Sequence, residues 1–183
     1  MIVLTAAACG SVTPAPPTGP SPVVPTPLAD PPSAQAFASL TGRWRTYATR
    51  IVYRNLDTGA TPGNYGCSGS LTIDSQEGRA FSGSLNIQGS GWNTDRFCTG
   101  SGTLTGELLS PDGSSARARL DRALSANQCT LVSGGNEFTG SAREAEIRLE
   151  RADIMRCPVN MDGGPGMPLA DFERTVTLSF ERW

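Results

Sequence analysis

The sequence predicts an all-β fold, an eight-stranded up-and-down antiparallel β-barrel preceded by a disordered proline-rich tether. The first reason is an alternation at residues 67–74, 81–88 and 98–105, where Gly, Cys or large apolar residues alternate with polar ones. A period of two with one polar face is typical of antiparallel strands that cover a core on one side. The second reason is that segments rich in Gly, Pro and Asn separate these stretches, and closing the strands into a ring leaves no unpaired sheet edge.

The chain has 183 residues, which is enough for one domain and a tail. Residues 1–9 form a short apolar run that ends in small residues before Cys9, and this resembles the end of a bacterial lipoprotein signal peptide. The resemblance implies that Cys9 is acylated and anchors the chain to a membrane; the alternative is an unprocessed Cys on a flexible end. Residues 10–37 are rich in proline and predict a disordered linker, and residues 38–183 are the predicted barrel.

The first half of the barrel begins with a strand from Arg43 to about Arg54. The inward phase of this strand changes partway along, which indicates a bulge. Strands two, three and four follow at residues 67–74, 81–88 and 98–109. Residues 116–121 alternate Ala and Leu with Arg and Asp, which favours a fifth strand over the alternative of a helix.

The second half is less regular. Strand six is predicted at residues 129–132. Strand seven starts at Phe138 and continues, with a bulge, into residues 142–153, where a helical stripe of apolar residues leaves a helix as the alternative. A long loop at residues 154–171 leads to strand eight, which ends the domain at residues 172–180.

The connections between these strands fall into two groups. Those at residues 76–78, 111–113 and 134–136 are tight turns, and the intervening ones are longer. Because alternate connections of a meander lie at opposite ends, one end of the barrel is predicted to be closed by turns, and we call it the base. The other end carries the long loops, and we call it the mouth.

Four cysteines remain once Cys9 is set aside, and all four lie in segments predicted at the mouth: Cys67, Cys98, Cys129 and Cys157. An even number in an exported chain predicts two disulfides, although four cysteines allow three pairings. The pairs closest in sequence are favoured, Cys67 with Cys98 and Cys129 with Cys157. They are interpreted as structural bridges, because no Cys-x-x-Cys spacing and no His accompany them.

The residues Gly42-Arg43-Trp44 resemble the Gly-x-Trp signature of calycins, the group that includes lipocalins, fatty-acid-binding proteins and avidins. In that group the Trp closes the base of the barrel and an Arg from the last strand packs over it. The resemblance implies that Trp44 and Arg182 meet at the base in a cation–π contact. Avidins carry Asn two residues after the Trp, where this chain has Thr46, so the resemblance does not extend to biotin binding.

Composition excludes several activities. The net charge of −2 and the lack of clustered Lys and Arg argue against nucleic-acid binding. The chain has no His, which removes His-based triads and the commonest zinc ligand, so we expect no enzyme, no metal and no cofactor. The mixed Glu and Arg residues at 143–151 are interpreted as a solvated outer strand face rather than an acid–base set.

Inward-facing glycines leave two alternatives for the barrel interior, a ligand cavity or a core filled by large side chains, and a filled core is favoured. The residues expected to contact a ligand lie on the predicted mouth: Tyr65, Trp92, Met155, Met161 and Met167. The sequence therefore predicts a non-enzymatic binding protein, lipid-anchored in the bacterial cell envelope, that holds a small apolar or amphipathic molecule at the mouth. The alternative is an envelope interaction protein, such as a protease or lysozyme inhibitor, that acts through its rim loops.

Overall fold

The structure is a computed structural model, and it describes residues 36–89, 95–126, 128–161 and 166–183. The described residues form ten β-strands and one short helix. The elements in chain order are β1 Gly42–Thr46, β2 Arg50–Asn55, β3 Gly63–Glu77, β4 Ala80–Gly89, α1 Asp95–Cys98, β5 Gly100–Leu108, β6 Ala116–Leu120, β7 Thr130–Ser133, β8 Glu137–Ala142, β9 Glu146–Pro158 and β10 Leu169–Arg182. No helix among these residues is both long and apolar enough to cross a membrane.

The strands close into an antiparallel barrel. Two positions in the ring are each filled by a pair of elements, β1 with β2 and β7 with β8. In order around the ring, the positions are β1/β2, β3, β4, β5, β6, β7/β8, β9 and β10. The ring closes because β10 pairs with both β1 and β2. The ring has eight strands because two of them are interrupted. The predicted fold class, an eight-stranded antiparallel barrel, is therefore confirmed.

The first strand is interrupted between Thr46 and Arg50, where its phase was expected to change. β1 and β2 share the same neighbours, β3 and β10, so they are two parts of one barrel strand. Thr49 lies in the interruption, and its hydroxyl donates to the Ser179 carbonyl at 3.1 Å and accepts from the Ser179 amide at 2.9 Å. A side chain thus replaces the strand-to-strand hydrogen bonds that the break removes.

The prediction for residues 129–153 was wrong in its connections. The turn at residues 134–136 is not a hairpin, because β7 and β8 both pair with the same edge of β9 and form one broken strand. The hairpin lies instead at residues 143–145, where the Arg143 amide donates to the Glu146 carbonyl at 2.8 Å. β9 then continues to Pro158, through residues that were predicted to be loop. A break with Gly-Gly-Asn has the same composition as a tight turn, so the sequence pattern could not separate the two.

The base is closed by short turns after β3, β5 and β8, and the mouth carries the connections after β2, β4, β6 and β9. The turn after β5 shows why its residues suit it. Gly113 takes a φ of +70°, which a residue with a Cβ rarely adopts, and its amide donates to the Ser110 carbonyl at 3.0 Å. The two-ended arrangement expected from the sequence is present, with the third base turn moved from 134–136 to 143–145.

The interior is filled by side chains. The inward positions of β3 and β4 alternate as the sequence indicated, and their apolar residues are buried. Inward glycines provide room for neighbours: an added Cβ on Gly106 would lie 2.4 Å from Cζ of Phe81, and one on Gly83 would lie 2.0 Å from the Thr72 carbonyl oxygen. The largest fully buried side chains are Trp44, Tyr53, Phe97, Phe138, Phe172 and Phe180. The favoured alternative, a filled core, matches this packing.

Candidate functional site

The base is sealed by the pair that the calycin resemblance implied. Cζ of Arg182 lies 5.0 Å from the ring centroid of Trp44, which is fully buried. The Arg182 guanidinium also donates to the carbonyls of Ser39 at 3.1 Å and Thr41 at 2.8 Å, while the Trp44 indole donates to Leu40 at 2.9 Å. Gly42, which precedes this pair, takes a φ of +133°. These contacts tie the segment before β1 across the closed end.

Both disulfides have the favoured pairing, Cys67 with Cys98 and Cys129 with Cys157. The first joins β3 to α1, and the second joins the connection before β7 to β9 near the mouth end of β9. The prediction that both bridges lie at the mouth is confirmed. They hold α1 against β3 and Cys129 against β9.

The residues predicted to contact a ligand are not gathered on one exposed rim. Met155 and Met161 are buried, Met167 is exposed, and Trp92 lies outside the described residues. Tyr65 is partly buried, and its ring stacks on Phe97 with centroids 4.1 Å apart. These placements leave the ligand role of all five residues as a prediction.

Tyr65 belongs to a group of three aromatic rings inside the mouth half of the barrel. The ring centroid of Tyr53 lies 5.8 Å from that of Phe97 and 6.2 Å from that of Tyr65, and both contacts are edge-to-face. Phe97 reaches this position because α1 is held against β3 by the disulfide of Cys98. Sequence reasoning missed Phe97, because it lies between the predicted loop and the predicted fourth strand, where no pattern indicates its direction.

A buried charged group lies beside these rings, and we call it the polar cluster: Tyr53, Arg151, Asp153 and Arg174. Arg174 donates to Oδ2 of Asp153 from Nη2 at 2.6 Å and from Nε at 3.1 Å. Nε of Arg151 lies 3.2 Å from the same oxygen. All three charged side chains are at least 96% buried, with exposures of 4% for Arg151, 0% for Asp153 and 3% for Arg174.

The polar cluster is incompletely satisfied. Four of its buried polar atoms make no hydrogen bond to the described residues: the Tyr53 hydroxyl, Nε of Arg151, Oδ1 of Asp153 and Nη1 of Arg174. Of these, Nε of Arg151 is still ion-paired with Oδ2 of Asp153. Burial raises the pKa of Tyr53, and the charge of Arg174 and its approach to the hydroxyl oppose that shift. Burial likewise lowers the pKa of Arg151, and the Asp153 carboxylate opposes it. Buried polar groups are normally hydrogen-bonded, so four atoms without a hydrogen bond in one place require an explanation.

The break between β7 and β8 is shaped around this cluster. Nη1 of Arg151 donates to the Gly135 carbonyl at 2.7 Å, and the guanidinium Cζ lies 4.9 Å from the ring centroid of Phe138. Gly134 takes a φ of +123°, and an added Cβ there would lie 2.5 Å from Oδ1 of Asp153. The interrupted strand therefore supplies both a backbone acceptor and the space that the buried carboxylate occupies.

The expectation that Arg151 belongs to a solvated outer face was wrong. The other charged residues at 143–150 are exposed, but Arg151 points inward in phase with Ile147 and Leu149. The phase of β9 was the available signal, since Arg151 and Asp153 occupy inward positions of the same alternation. It was missed because charged residues are seldom found inside a barrel without partners.

Large apolar side chains are exposed around one part of the mouth. They lie on β7, on the connection from β9 to β10 and its flanks, and just after β2: Leu56, Leu131, Val132, Val159, Met167 and Leu169, with exposures between 45% and 60%. We call this set the apolar rim. The elements are neighbours, because β7 pairs with β9, β9 with β10 and β10 with β2.

A separate cleft of about 540 Å³ lies on the outer wall at the break between β1 and β2, lined mainly by polar residues such as Thr49, Arg50, Arg148 and Thr177. Among the described residues there is no group of three or more Cys, Asp, Glu or His side chains placed to hold a metal ion.

No protein-family model matches the chain. No curated protein matches it. A solved structure described as "Structure of EF1p2_mFAP2b bound to DFHBI" is similar over 79% of this chain and 94% of that chain, at 15% sequence identity and a TM-score of 0.37. A similarity at this level carries no argument about what this chain binds, and the barrel assignment rests on the strand pairing.

Proposed function

We propose that this chain is a non-enzymatic binding protein, anchored in the bacterial cell envelope through an acylated Cys9, that binds a small amphipathic molecule in the mouth half of its barrel. The observation that carries the binding role is the polar cluster. Two guanidinium groups and one carboxylate held in an apolar interior destabilise a fold unless their hydrogen bonds are satisfied, and four polar atoms of the cluster make no hydrogen bond to the described residues. A polar ligand group at this position accounts for both facts.

The surroundings suit an amphipathic ligand. The aromatic rings of Tyr65 and Phe97 pack against Tyr53 of the cluster, and the apolar rim lies at the same end of the barrel. Ligand sites typically combine apolar walls with a few converging polar groups. Because the interior is filled, the ligand enters by displacing side chains of the mouth half rather than by occupying a preformed cavity.

Native mass spectrometry of the Cys9→Ser chain, which is expected not to be membrane-bound and is purified from its own host without detergent, tests this function. The expected result is a bound molecule of defined mass at a stoichiometry near one. A matched variant, Arg174→Met, removes one guanidinium and is expected to lose most of that bound mass. A spectrum of ligand-free chain, together with no binding of any amphiphile added in solution, would refute the function.

The anchoring at Cys9 is tested separately by metabolic labelling with a palmitate analogue. We expect label and membrane association in the parent chain and neither in Cys9→Ser. Equal label in both chains would contradict this part of the proposal and leave the binding role unaffected.

A second function, interaction with an envelope protein through the mouth, is supported by the apolar rim. Contiguous exposed apolar side chains on a folded domain mark interaction surfaces. Leu131→Ser and Leu169→Ser together would weaken binding to such a partner, whereas Leu109→Ser, at the base, is the matched control with similar exposure. Measured affinities that respond equally to both changes would exclude the rim as the contact surface.

A further inference from the structure

We infer that the head group bound by the polar cluster is an anion that also carries a hydrogen-bond donor, as an α-hydroxy carboxylate does. This inference rests on the proposed function and specifies the ligand class of the same site. It follows from the charges of the cluster and from the identity of its unpaired atoms.

The charge of the cluster calls for an anion. Arg151 and Arg174 carry two positive charges against the single carboxylate of Asp153, so the buried group has a net charge of +1. Both arginines already share Oδ2 of that carboxylate, at 3.2 Å and 2.6 Å. A buried charge without compensation is strongly unfavourable, and an anionic ligand would neutralise it.

The unpaired atoms define the rest of the head group. Nη1 of Arg174 can only donate and has no acceptor, and Nε of Arg151 reaches only Oδ2 of Asp153, which it shares with Arg174, so an acceptor on the ligand would serve both. Oδ1 of Asp153 can only accept while it is ionised, so it requires a donor. The Tyr53 hydroxyl can do either. A simple carboxylate would satisfy the arginines but would leave Oδ1 unpaired beside another negative oxygen, and a neutral alcohol would leave the net charge.

An α-hydroxy carboxylate meets both requirements. Its carboxylate oxygens accept from the two guanidinium groups, and its hydroxyl donates to Oδ1 of Asp153. The apolar rings around the cluster lower the local dielectric and strengthen these charge-assisted bonds. The apolar chain of the ligand then extends toward the mouth.

Calorimetric titration of the full chain with three ligands of equal chain length tests the inference. The ligands are 2-hydroxydodecanoate, dodecanoate, which lacks the hydroxyl, and 1,2-dodecanediol, which lacks the charge. We expect 2-hydroxydodecanoate to bind about tenfold more tightly than dodecanoate, which leaves Oδ1 of Asp153 without a donor. We expect it to bind about a hundredfold more tightly than the diol, which leaves the net positive charge of the cluster uncompensated. Affinities of all three within about threefold would overturn the inference and leave the proposed function standing. Binding of none would overturn the inference, and it would overturn the proposed function as well if the native mass spectrum also shows only ligand-free chain.

Variants connect the preference to the cluster. Arg174→Met leaves one Arg and one Asp as a neutral pair, and we expect it to weaken the carboxylates at least about tenfold while changing diol affinity less than about threefold. Arg156→Met, which removes an exposed ion pair to Asp171 on the same two strands, is the control and should change neither.

Tyr53→Phe removes only an unpaired buried hydroxyl, so it tests the site even if Arg174→Met does not fold. We expect about threefold weaker binding of 2-hydroxydodecanoate and an unchanged thermal midpoint. Loss of diol and carboxylate binding to the same extent in a folded Arg174→Met, or an unaltered affinity in Tyr53→Phe, would overturn the assignment of the head group to this cluster.

Discussion

At the scale of single residues, two arginines have different structural roles, one at the base and one in the interior. Arg182 sits at the rim of the base, where its guanidinium covers Trp44 and donates to two backbone carbonyls. Arg174 lies in the interior, where its charge is paired with Asp153 and one nitrogen remains unpaired. The sequence resemblance found the first because the Gly-x-Trp motif points to it. No motif marks the second, and it was missed although Arg174 lies in the same alternation as the inward Phe172 and Val176.

Removing the side chain contacts of Arg182 should destabilise the fold. Arg182→Met loses a cation–π contact and two charge-assisted hydrogen bonds, so we expect the free energy of unfolding in urea to fall by about 1–3 kcal/mol. Arg45→Met on the neighbouring strand loses only an exposed ion pair with Glu181, at 59% exposure of the Arg, and should cost no more than about 1 kcal/mol. Equal losses in the two variants would contradict a sealing role for Arg182.

At the scale of elements, period-two alternation predicted where most of the barrel strands lie, but it located neither their interruptions nor the full length of β9. Residues 67–74 and 81–88 alternate, so the central parts of β3 and β4 follow directly from the pattern. The break at residues 134–136 contains turn residues, but the chain does not reverse direction there. Gly134 lies against the side chain of Asp153, and β7 and β8 on either side of the break both pair with β9. Tertiary contacts of this kind are not encoded in local composition, which is why the hairpin was placed one strand too early.

The pairing of β3 with β4 depends on a glycine at its irregular point. The register shifts between Ile73 and Ser75, directly opposite Gly83. A Cβ on Gly83 would lie 2.0 Å from the Thr72 carbonyl oxygen and 2.8 Å from Cα of Ile73, so Gly83→Ala forces the two strands apart. We expect a loss of about 1–3 kcal/mol in the free energy of unfolding. Gly135→Ala, where an added Cβ meets nothing within 4 Å, should be nearly neutral, and equal costs would argue against this packing.

The turn after β5 should make a small contribution that depends on pH. The pKa of Asp112 is lowered from 3.8 to about 2, first by the Ser114 amide and then by the hydroxyls of Ser114 and Ser110. Because the folded pKa lies below the unfolded value, the stabilisation is present above pH 4 and is lost as the pH falls through the range from about 4 to about 2. A carbon-detected NMR titration of the Asp112 carboxyl should show the lowered pKa, and Ser114→Ala should raise it only partly because the amide remains. A midpoint near 3.8 in the parent chain would contradict the turn geometry.

At the scale of the whole molecule, the two ends of the barrel are held by different means. The base relies on short turns and on the contact between Trp44 and Arg182, whereas the mouth relies on two disulfides that close long connections. This division was predictable, because turn residues and cysteines segregate along the sequence. Whether the barrel interior is hollow or filled could not be derived from the sequence, since inward glycines are compatible with either a cavity or close-packed rings.

The division predicts that loss of a bridge will act locally. Cys129→Ser with Cys157→Ser removes a link of sequence separation 28, for which the chain-entropy model gives about 3–4 kcal/mol of stabilisation. Native-state hydrogen exchange should show the largest loss of protection in the mouth halves of β9 and β10, while amides near Trp44 retain theirs relative to the global unfolding limit. The matched change of Cys67→Ser with Cys98→Ser should instead release α1 and Phe97 and loosen β2 and β3. A uniform loss of protection across both ends, in either variant, would mean that the barrel opens as one unit and that the mouth cannot rearrange around a ligand while the base stays closed.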